Sequence, residues 1–241
     1  MSIRPLFATP CYGGLVTWQY ATSMVNLAEV FRAADVPFKT YMLGGESLVD
    51  RARNDCVAEF LESDCSHLFF VDSDLSFAPQ DAFDMLAAGL DLVLAPYRKK
   101  REEEEWTVTL LDEDRRSGKV TIASAHPVHP GDRGNRYVAC AEGGTGFLCL
   151  SREAVTRLVA GVGTYCGERS GRPRRCPDLF RSVVDDDVRI GEDQYLCRRW
   201  RALGGTVWCA VDVRLAHVGT GGVFEGDYAR AIGLQSTDEV A

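Results

Sequence analysis

The stretch His67-Leu68-Phe69-Phe70-Val71-Asp72-Ser73-Asp74 decides how this chain is read. Leu68 to Val71 form a continuous apolar run, which fits a central strand covered on both faces, because a strand with one wet face alternates. The run ends abruptly in two carboxylates one residue apart. At a strand mouth such a pair repels itself and each acid raises the other's pKa. A hard divalent cation resolves that conflict. The plain alternative is a solvated turn.

Outward from this run, strand and helix patterns alternate. Residues 3–8 read as a strand, and 9–14 as the loop leaving it. Thr17 caps a helix with Tyr20, Met24, Leu27 and Phe31 on its apolar face. Residues 38–43 form a second strand closed by Gly44-Gly45. Ser47 opens a second helix with Asp50 as its reciprocal cap, and Val49, Cys56, Val57, Phe60 and Leu61 face inward. Pro79 starts a third helix through Phe83 and Leu86, followed by a strand at 91–95. This order predicts an α/β fold with a doubly wound, mostly parallel sheet. Ligands of such sheets bind beyond the carboxyl ends of the strands, where Asp72 and Asp74 lie.

The second half reads as a smaller mixed β region. Strands are expected at 106–111 and 119–123 around a turn at 112–118, then at 137–141 and 147–150. Ser151 starts a helix with Ala154, Val155, Leu158 and Val159 inward. Residues 161–182, rich in Gly, Arg and Pro, are expected to form a long mobile loop. A helix at 193–203 and a strand at 206–211 follow. No linker or repeat interrupts the chain, so one domain over 1–241 is expected.

Composition narrows the classes. Of 241 residues 46% are hydrophobic and 26% charged, which excludes wholesale disorder. No apolar stretch reaches the roughly 20 residues of a membrane span. The first residues lack a secretory signal, so a cytoplasmic location is expected, the host's cytoplasm were the chain viral. Nine cysteines cannot all pair, and Cys56, Cys140, Cys149, Cys197 and Cys209 sit in apolar runs as small hydrophobes. The net charge of −8 argues against a protein that coats duplex DNA, yet the arginines cluster. Arg98-Lys99-Lys100-Arg101 follows the fourth strand, and Arg169, Arg172, Arg174, Arg175 and Arg181 crowd the expected loop. A positive rim would hold an anionic acceptor through Arg98, Lys99, Arg172, Arg174 and Arg175. Glu102 to Glu105 could instead neutralise the first cluster. Cys166 and Cys176, with His126 and His129, offer an alternative zinc site whose spacing matches no standard pattern.

In chain order, four features resemble the metal-dependent glycosyltransferases of the GT-A fold. They are Asp72-Ser73-Asp74, the glycine loop Gly143-Gly144-Thr145-Gly146, Gly191-Glu192-Asp193 opening a helix, and the late His217. The resemblance implies a nucleotide-sugar donor, a UDP-sugar first, and a manganese or magnesium ion. It implies that Asp74 and His217 ligate the ion, while Asp72 binds the ribose or reaches the ion through water. Ser73, Gly144, Thr145 and Gly146 would lie along the donor, the glycines admitting the sugar closely. Thr9, Pro10, Cys11 and Tyr12 would wall the nucleotide, with Tyr12 stacked on the base. Asp193, with Glu192 beside it, would take the acceptor proton in an inverting reaction. Residues 1–100 then form the nucleotide-binding half and 101–241 the acceptor side.

The stretch 46–54 is similar to segments in small, often phage-encoded members, and Arg53 or Arg51 is expected at the diphosphate. Some such members modify hydroxymethylated pyrimidines of viral DNA, which makes 5-hydroxymethylcytosine DNA the first expected acceptor. A glycan, protein or small-molecule acceptor is the alternative within the class. A nucleotidyltransferase is the rival chemistry, but residues 9–14 lack its basic first loop. An inactive binding module is disfavoured by the retained acids and His217.

Overall fold

The computed structural model describes residues 3–111, 122–124, 135–169 and 172–234. The first half contains β1 (Pro5–Cys11), α1 (Trp18–Ala33), β2 (Lys39–Gly44), α2 (Val49–Glu62), β3 (His67–Val71), the two-residue β4 (Leu75–Ser76), α3 (Pro79–Ala87) and β5 (Leu92–Leu94). Next come β6 (Val108–Leu110), β7 (Ile122–Ser124), β8 (Arg136–Gly143), β9 (Phe147–Ser151), α4 (Arg152–Val159), β10 (Thr164–Arg169) and β11 (Arg172–Pro177). The chain then forms β12 (Val183–Asp185), β13 (Val188–Ile190), α5 (Glu192–Ala202), β14 (Val207–Ala210), β15 (Ala216–Gly219), β16 (Gly222–Phe224) and α6 (Tyr228–Ala231).

The central sheet has the order β2-β1-β3-β9-β5-β14-β8-β6, with β7 also on β8. Only β8 and β9 run against the other strands. Strands from both halves of the chain therefore share one sheet, and the expected α/β class is what the structure has. Strand alternation divides its side chains between two cores. Leu68 and Phe70 face α2, α4 and α5 with Phe60, Leu158 and Trp200. Phe69 and Val71 face α1 and α3 with Phe31 and Phe83. Phe69 packs edge-on to Phe147 at 4.9 Å between ring centroids. This double cover is why the run at 68–71 contains no polar residue.

Local signals account for most helix starts. Thr17 Oγ1 accepts the Tyr20 N–H, Ser151 Oγ accepts the Ala154 N–H, and Pro79 occupies the first turn of α3. At α2 the expectation needs correction. The helix begins at Val49, and the Glu46 carboxylate, not Ser47, accepts the Ser47 and Leu48 N–H groups. Val49 and Leu61, expected inside, are exposed. Their places on the inner face belong to Ala52, Arg53 and Asn54.

The largest correction concerns residues 161–182. Instead of a mobile loop, β10 and β11 form an antiparallel hairpin from Thr164↔Pro177 to Arg169↔Arg172. Pairing puts Tyr165, Gly167, Arg174 and Cys176 on one face and Cys166 and Arg175 on the other. The two thiols therefore point away from each other and cannot share an ion; His126 and His129 lie outside the described residues, as does the expected turn at 112–118. Arg174 crosses to α2, reaching Asp55 at 3.2 Å and Glu59 and Glu62 at 2.7 Å each. The hairpin is thus fastened by ion pairs on a largely enclosed arginine rather than an apolar stripe, and apolar periodicity could not reveal it. Beyond it Leu179 and Phe180 are fully buried, and Phe180 packs on Phe70. A second hairpin, β12–β13, turns at Asp186 and Asp187 with φ of 47° and 61°, a conformation that aspartate tolerates.

Replacing Arg174 with Ala strands these carboxylates against one another. Since two of the three reach solvent, the loss should be about 1–3 kcal/mol, between the surface and fully buried limits. A urea titration checks this, and an unchanged midpoint would mean the hairpin is held otherwise.

Candidate active site

The site grows from α2. Arg53 is 3% exposed, so its charge has lost water and must be paired. Its Nη2 donates to Asp72 Oδ1 at 2.9 Å and Oδ2 at 3.2 Å, and its Nη1 donates to the Thr145 carbonyl at 3.1 Å. Phe70 and Phe180 flank the guanidinium, 5.4 and 5.9 Å from their ring centroids. Burial works against the charge, but Asp72, with Tyr97 and Glu192, outweighs it and raises the guanidinium above its ordinary value. Next in sequence, the Asn54 amide donates to the Phe180 carbonyl at 2.8 Å while its oxygen accepts the Leu179 and Phe180 N–H groups. One helix turn thus joins the end of β3, the glycine loop and the chain after β11.

The glycine loop bridges β8 and β9 at the edge where β3 and β5 end. The Asp72 N–H donates to the Gly146 carbonyl at 2.7 Å, and the Gly146 N–H donates to the Tyr97 hydroxyl at 3.2 Å. A Cβ at Gly146 would lie 2.6 Å from Asp72 Oδ2 and 2.7 Å from the Tyr97 oxygen; one at Gly144 would lie 2.5 Å from that same oxygen. Room for Tyr97 and Asp72 is therefore what these glycines supply. Burial, and then the Asp72 carboxylate, push the Tyr97 phenol far above its ordinary range, so it stays protonated.

Two residues on, Asp74 meets the small sheet β16-β15-β4. His217 of β15 puts Nδ1 2.8 Å from the Arg98 carbonyl oxygen and Nε2 3.6 Å from Asp74 Oδ1. A carbonyl only accepts, so Nδ1 donates to it and Nε2 is the ring nitrogen turned toward the carboxylate. A carboxylate oxygen and an imidazole nitrogen facing each other are groups that could ligate a divalent cation, with the Arg98 carbonyl orienting the ring from behind. Lys100 Nζ pairs with the other oxygen, Asp74 Oδ2. Burial acts to raise the Asp74 carboxyl, but His217 and Lys100 outweigh it and hold it below its usual value. Among the described residues no three His, Cys, Asp or Glu side chains form a complete metal cage.

Glu192 and Asp193 open α5, whose start is fixed by the Gly191 N–H donating to Gln194 Oε1. Burial, then the Asp193 carboxylate, push the Glu192 carboxyl above its ordinary value. Glu192 lies within electrostatic reach of Arg53, and Asp193 within reach of Tyr97, which puts both acids in the neighbourhood of the Asp72 cluster. Asp193 Oδ1 also accepts the Gln194 N–H at 2.7 Å.

The structure redistributes other expected residues. Arg53, expected at a diphosphate, is enclosed, with its guanidinium engaged by Asp72 and the Thr145 carbonyl. Arg51 is exposed and paired with Glu46. Thr9 is buried, with its hydroxyl 2.6 Å from the Tyr20 hydroxyl, and Cys11 is buried too. That leaves Pro10 and Tyr12, the latter 77% exposed, to line the surface. The Ser73 carbonyl accepts the Thr17 N–H and tethers this loop to the acidic motif. Thr145 is buried, and its hydroxyl has no partner among the described residues. The basic rim is mostly engaged elsewhere. Arg98 donates to the carbonyls of Arg101, Glu102, Glu103 and Glu225, Lys99 pairs with Glu105, and Arg174 holds the hairpin. Arg175 is exposed; nothing is described of the Arg172 side chain. Sequence reading missed Tyr97, whose place just after β5 was legible although its role was not, and Asn54.

No family model and no curated protein matches the sequence. Solved structures do match. A197 from STIV is 17% identical, covers 90% of this chain and 86% of its own, and superposes with a TM-score of 0.51. GalNAc-T7 with UDP, GalNAc and Mn2+ is 10% identical over 90% of this chain and 44% of its own, at a TM-score of 0.42. The inositol-1-phosphate CTP transferase from T. maritima is 9% identical over 90% of this chain and 89% of its own, also at 0.42. The likeness to A197 bears on the fold alone, and the two weaker superpositions add nothing to it. No helix among the described residues is long and apolar enough to cross a membrane.

The raised Glu192 carboxyl has a consequence for stability. A folded-state pKa above the unfolded one favours folding at low pH, and that contribution is lost as pH rises through the folded value. Glu192→Gln mimics the protonated acid. It should melt higher than wild type at pH 7, with the gap closing below pH 4.5, the ordinary glutamate value. Equal melting temperatures at both pH values would mean that Glu192 is not strained in its charged form.

Proposed function

We propose that this protein is a metal-dependent glycosyltransferase of the GT-A type, moving a sugar from a nucleoside-diphosphate donor, UDP-linked first, to an acceptor hydroxyl. The observation that carries the reading is Asp74 set against His217 beside an Asp72 held by Arg53. Glu192 and Asp193 lie within electrostatic reach of Arg53 and Tyr97, which border Asp72. A donor in between would have its diphosphate at Asp74 and His217 and its anomeric carbon toward Glu192 and Asp193.

Asp74 and His217 would hold a manganese or magnesium ion, which would supply Lewis-acid stabilisation of the leaving diphosphate. Asp72 is fixed by Arg53 in one rotamer and presents its exposed edge to the ribose or to a bound water. Tyr12 offers an exposed ring to the base. The backbone of residues 144–146, pinned by Tyr97 and Arg53, lines the sugar. Glu192 or Asp193 accepts the acceptor's proton as the hydroxyl oxygen attacks, and the elevated affinity of Glu192 for a proton favours it for that task. Direct attack inverts the anomeric centre.

The rival nucleotidyl transfer would attack the α-phosphate and release pyrophosphate. The first loop, with no Lys or Arg in residues 9–14, supports sugar transfer instead. For the acceptor, hydroxymethylated DNA now rests on Arg175 and Arg172 alone, because Arg98, Lys99 and Arg174 have internal partners.

The test offers several nucleotide sugars and Mn2+ with hydroxymethylcytosine DNA, unmodified DNA and a neutral saccharide. Intact mass and released nucleotide are followed. Sugar transfer with release of nucleoside diphosphate is expected; pyrophosphate release, or full activity in chelator, would contradict the proposal. Asp74→Asn should abolish turnover. Glu192→Gln and Asp193→Asn should separate the base from its neighbour, the base variant losing about a hundred-fold or more. Turnover within a few-fold of wild type in both would mean neither acid is the base.

A further inference from the structure

Of the four consecutive basic residues at 98–101, three are bound to their own segment or its neighbours. Arg98 is fastened to backbone carbonyls, and Lys99 and Arg101 both pair with Glu105. Lys100 alone turns into the acidic site, and its ammonium pairs with Asp74 Oδ2. The single Asp74 carboxylate is thus divided between an imidazole on one oxygen and a lysine on the other.

The lysine is seated. Its aliphatic stem lies over Gly219, where a Cβ would come within 3.0 Å of Lys100 Cδ and 3.4 Å of Cγ. Gly219 is not among the glycines with positive φ, so its backbone conformation does not demand glycine. What the missing side chain provides is room for the stem. Gly219 stands two residues beyond His217 on β15, hence on the same face of that strand. The strand that supplies the imidazole therefore also holds the groove for the competing cation.

We infer that Lys100 is a resident counter-ion of Asp74 that makes divalent-cation binding depend on the nucleotide diphosphate, and that its ammonium transfers to the diphosphate when donor and cation enter together. This rests on the metal and donor reading above. Electrostatics gives the reason. A divalent ion approaching Asp74 alone meets a positive charge within ion-pair distance, and the carboxylate cannot neutralise both. A diphosphate brings enough negative charge to satisfy the ion and the ammonium at once, and a flexible lysine on a four-carbon stem can turn to it. The empty protein then discriminates against free metal, and the loaded one uses Lys100 as a phosphate contact.

Binding of Mn2+ alone, followed by the electron paramagnetic resonance of the free ion, tests this in wild type, Lys100→Met and Asp74→Asn, each with and without UDP. Without nucleotide, Lys100→Met should bind Mn2+ about ten-fold more tightly than wild type. With UDP that advantage should vanish, and UDP itself should bind several-fold more weakly to the variant. Gly219→Val, which displaces the stem and leaves every charge in place, should move Mn2+ affinity in the same direction. If wild type and Lys100→Met bind Mn2+ equally without nucleotide, and circular dichroism reports intact folds, the inference is overturned. If Mn2+ binds neither wild type with UDP nor any variant, the metal reading falls and takes the inference with it. Asp74→Asn, which should lose Mn2+ in both conditions, separates those two failures.

Discussion

A buried guanidinium governs the architecture of this site. Removing Arg53 from water costs several kcal/mol unless each charge it meets is well placed, and here it has one carboxylate and one carbonyl. Because the ion pair joins α2 to the end of β3 and to the glycine loop, none of the three can shift without uncovering charge. Asn54, one residue on, secures the chain that leads toward α5. Placing two polar residues on the inner face of an otherwise apolar helix is costly for stability alone; their positions make sense as devices that hold Asp72 and the loop in one arrangement.

The tight space around Asp72 follows from the same arrangement. Tyr97 fills the volume that side chains at 144 and 146 would need, and its proton-retaining phenol borders Asp72 without adding charge. Thus Asp72 is held from behind, while Asp74 is shared between His217 and Lys100 in front. Two aspartates one residue apart have unlike surroundings, because β3 ends at Val71 and the chain turns through Ser73 and Asp74 before β4.

The parts of the fold that depend on apolar burial were legible in the sequence. The run at 68–71, the caps at Thr17 and Ser151 and the apolar faces of α1 and α4 all read correctly. The parts that depend on paired charge were not. Arg174 looked like a residue of a mobile, anion-seeking loop because an arginine's partners on a distant helix leave no local pattern. Arg53 was expected at a diphosphate, and its burial against Asp72 could not be seen because a helix position does not announce burial when the residue is charged. The cations at 98–101 read either as a docking rim or as a cluster neutralised by Glu102 to Glu105, and Glu105 with the loop carbonyls engages Arg98, Lys99 and Arg101 as the second reading had it. Asp72 and Asp74 stood out at the end of an apolar run, and His217, Glu192 and Asp193 only through the resemblance; Tyr97, Asn54 and the seat of Lys100 come from contacts between distant segments.

The central claim is that one edge of the sheet forms a donor site, with Asp72 fixed by Arg53 and a cation position between Asp74 and His217. A crystal structure with UDP and Mn2+, with data collected at the manganese absorption edge, tests it most directly. The account predicts an anomalous peak between Asp74 and His217 Nε2, a diphosphate beside it, and Arg53 still paired to Asp72. A diphosphate bound elsewhere, or Arg53 withdrawn from Asp72 to hold it, would contradict the account.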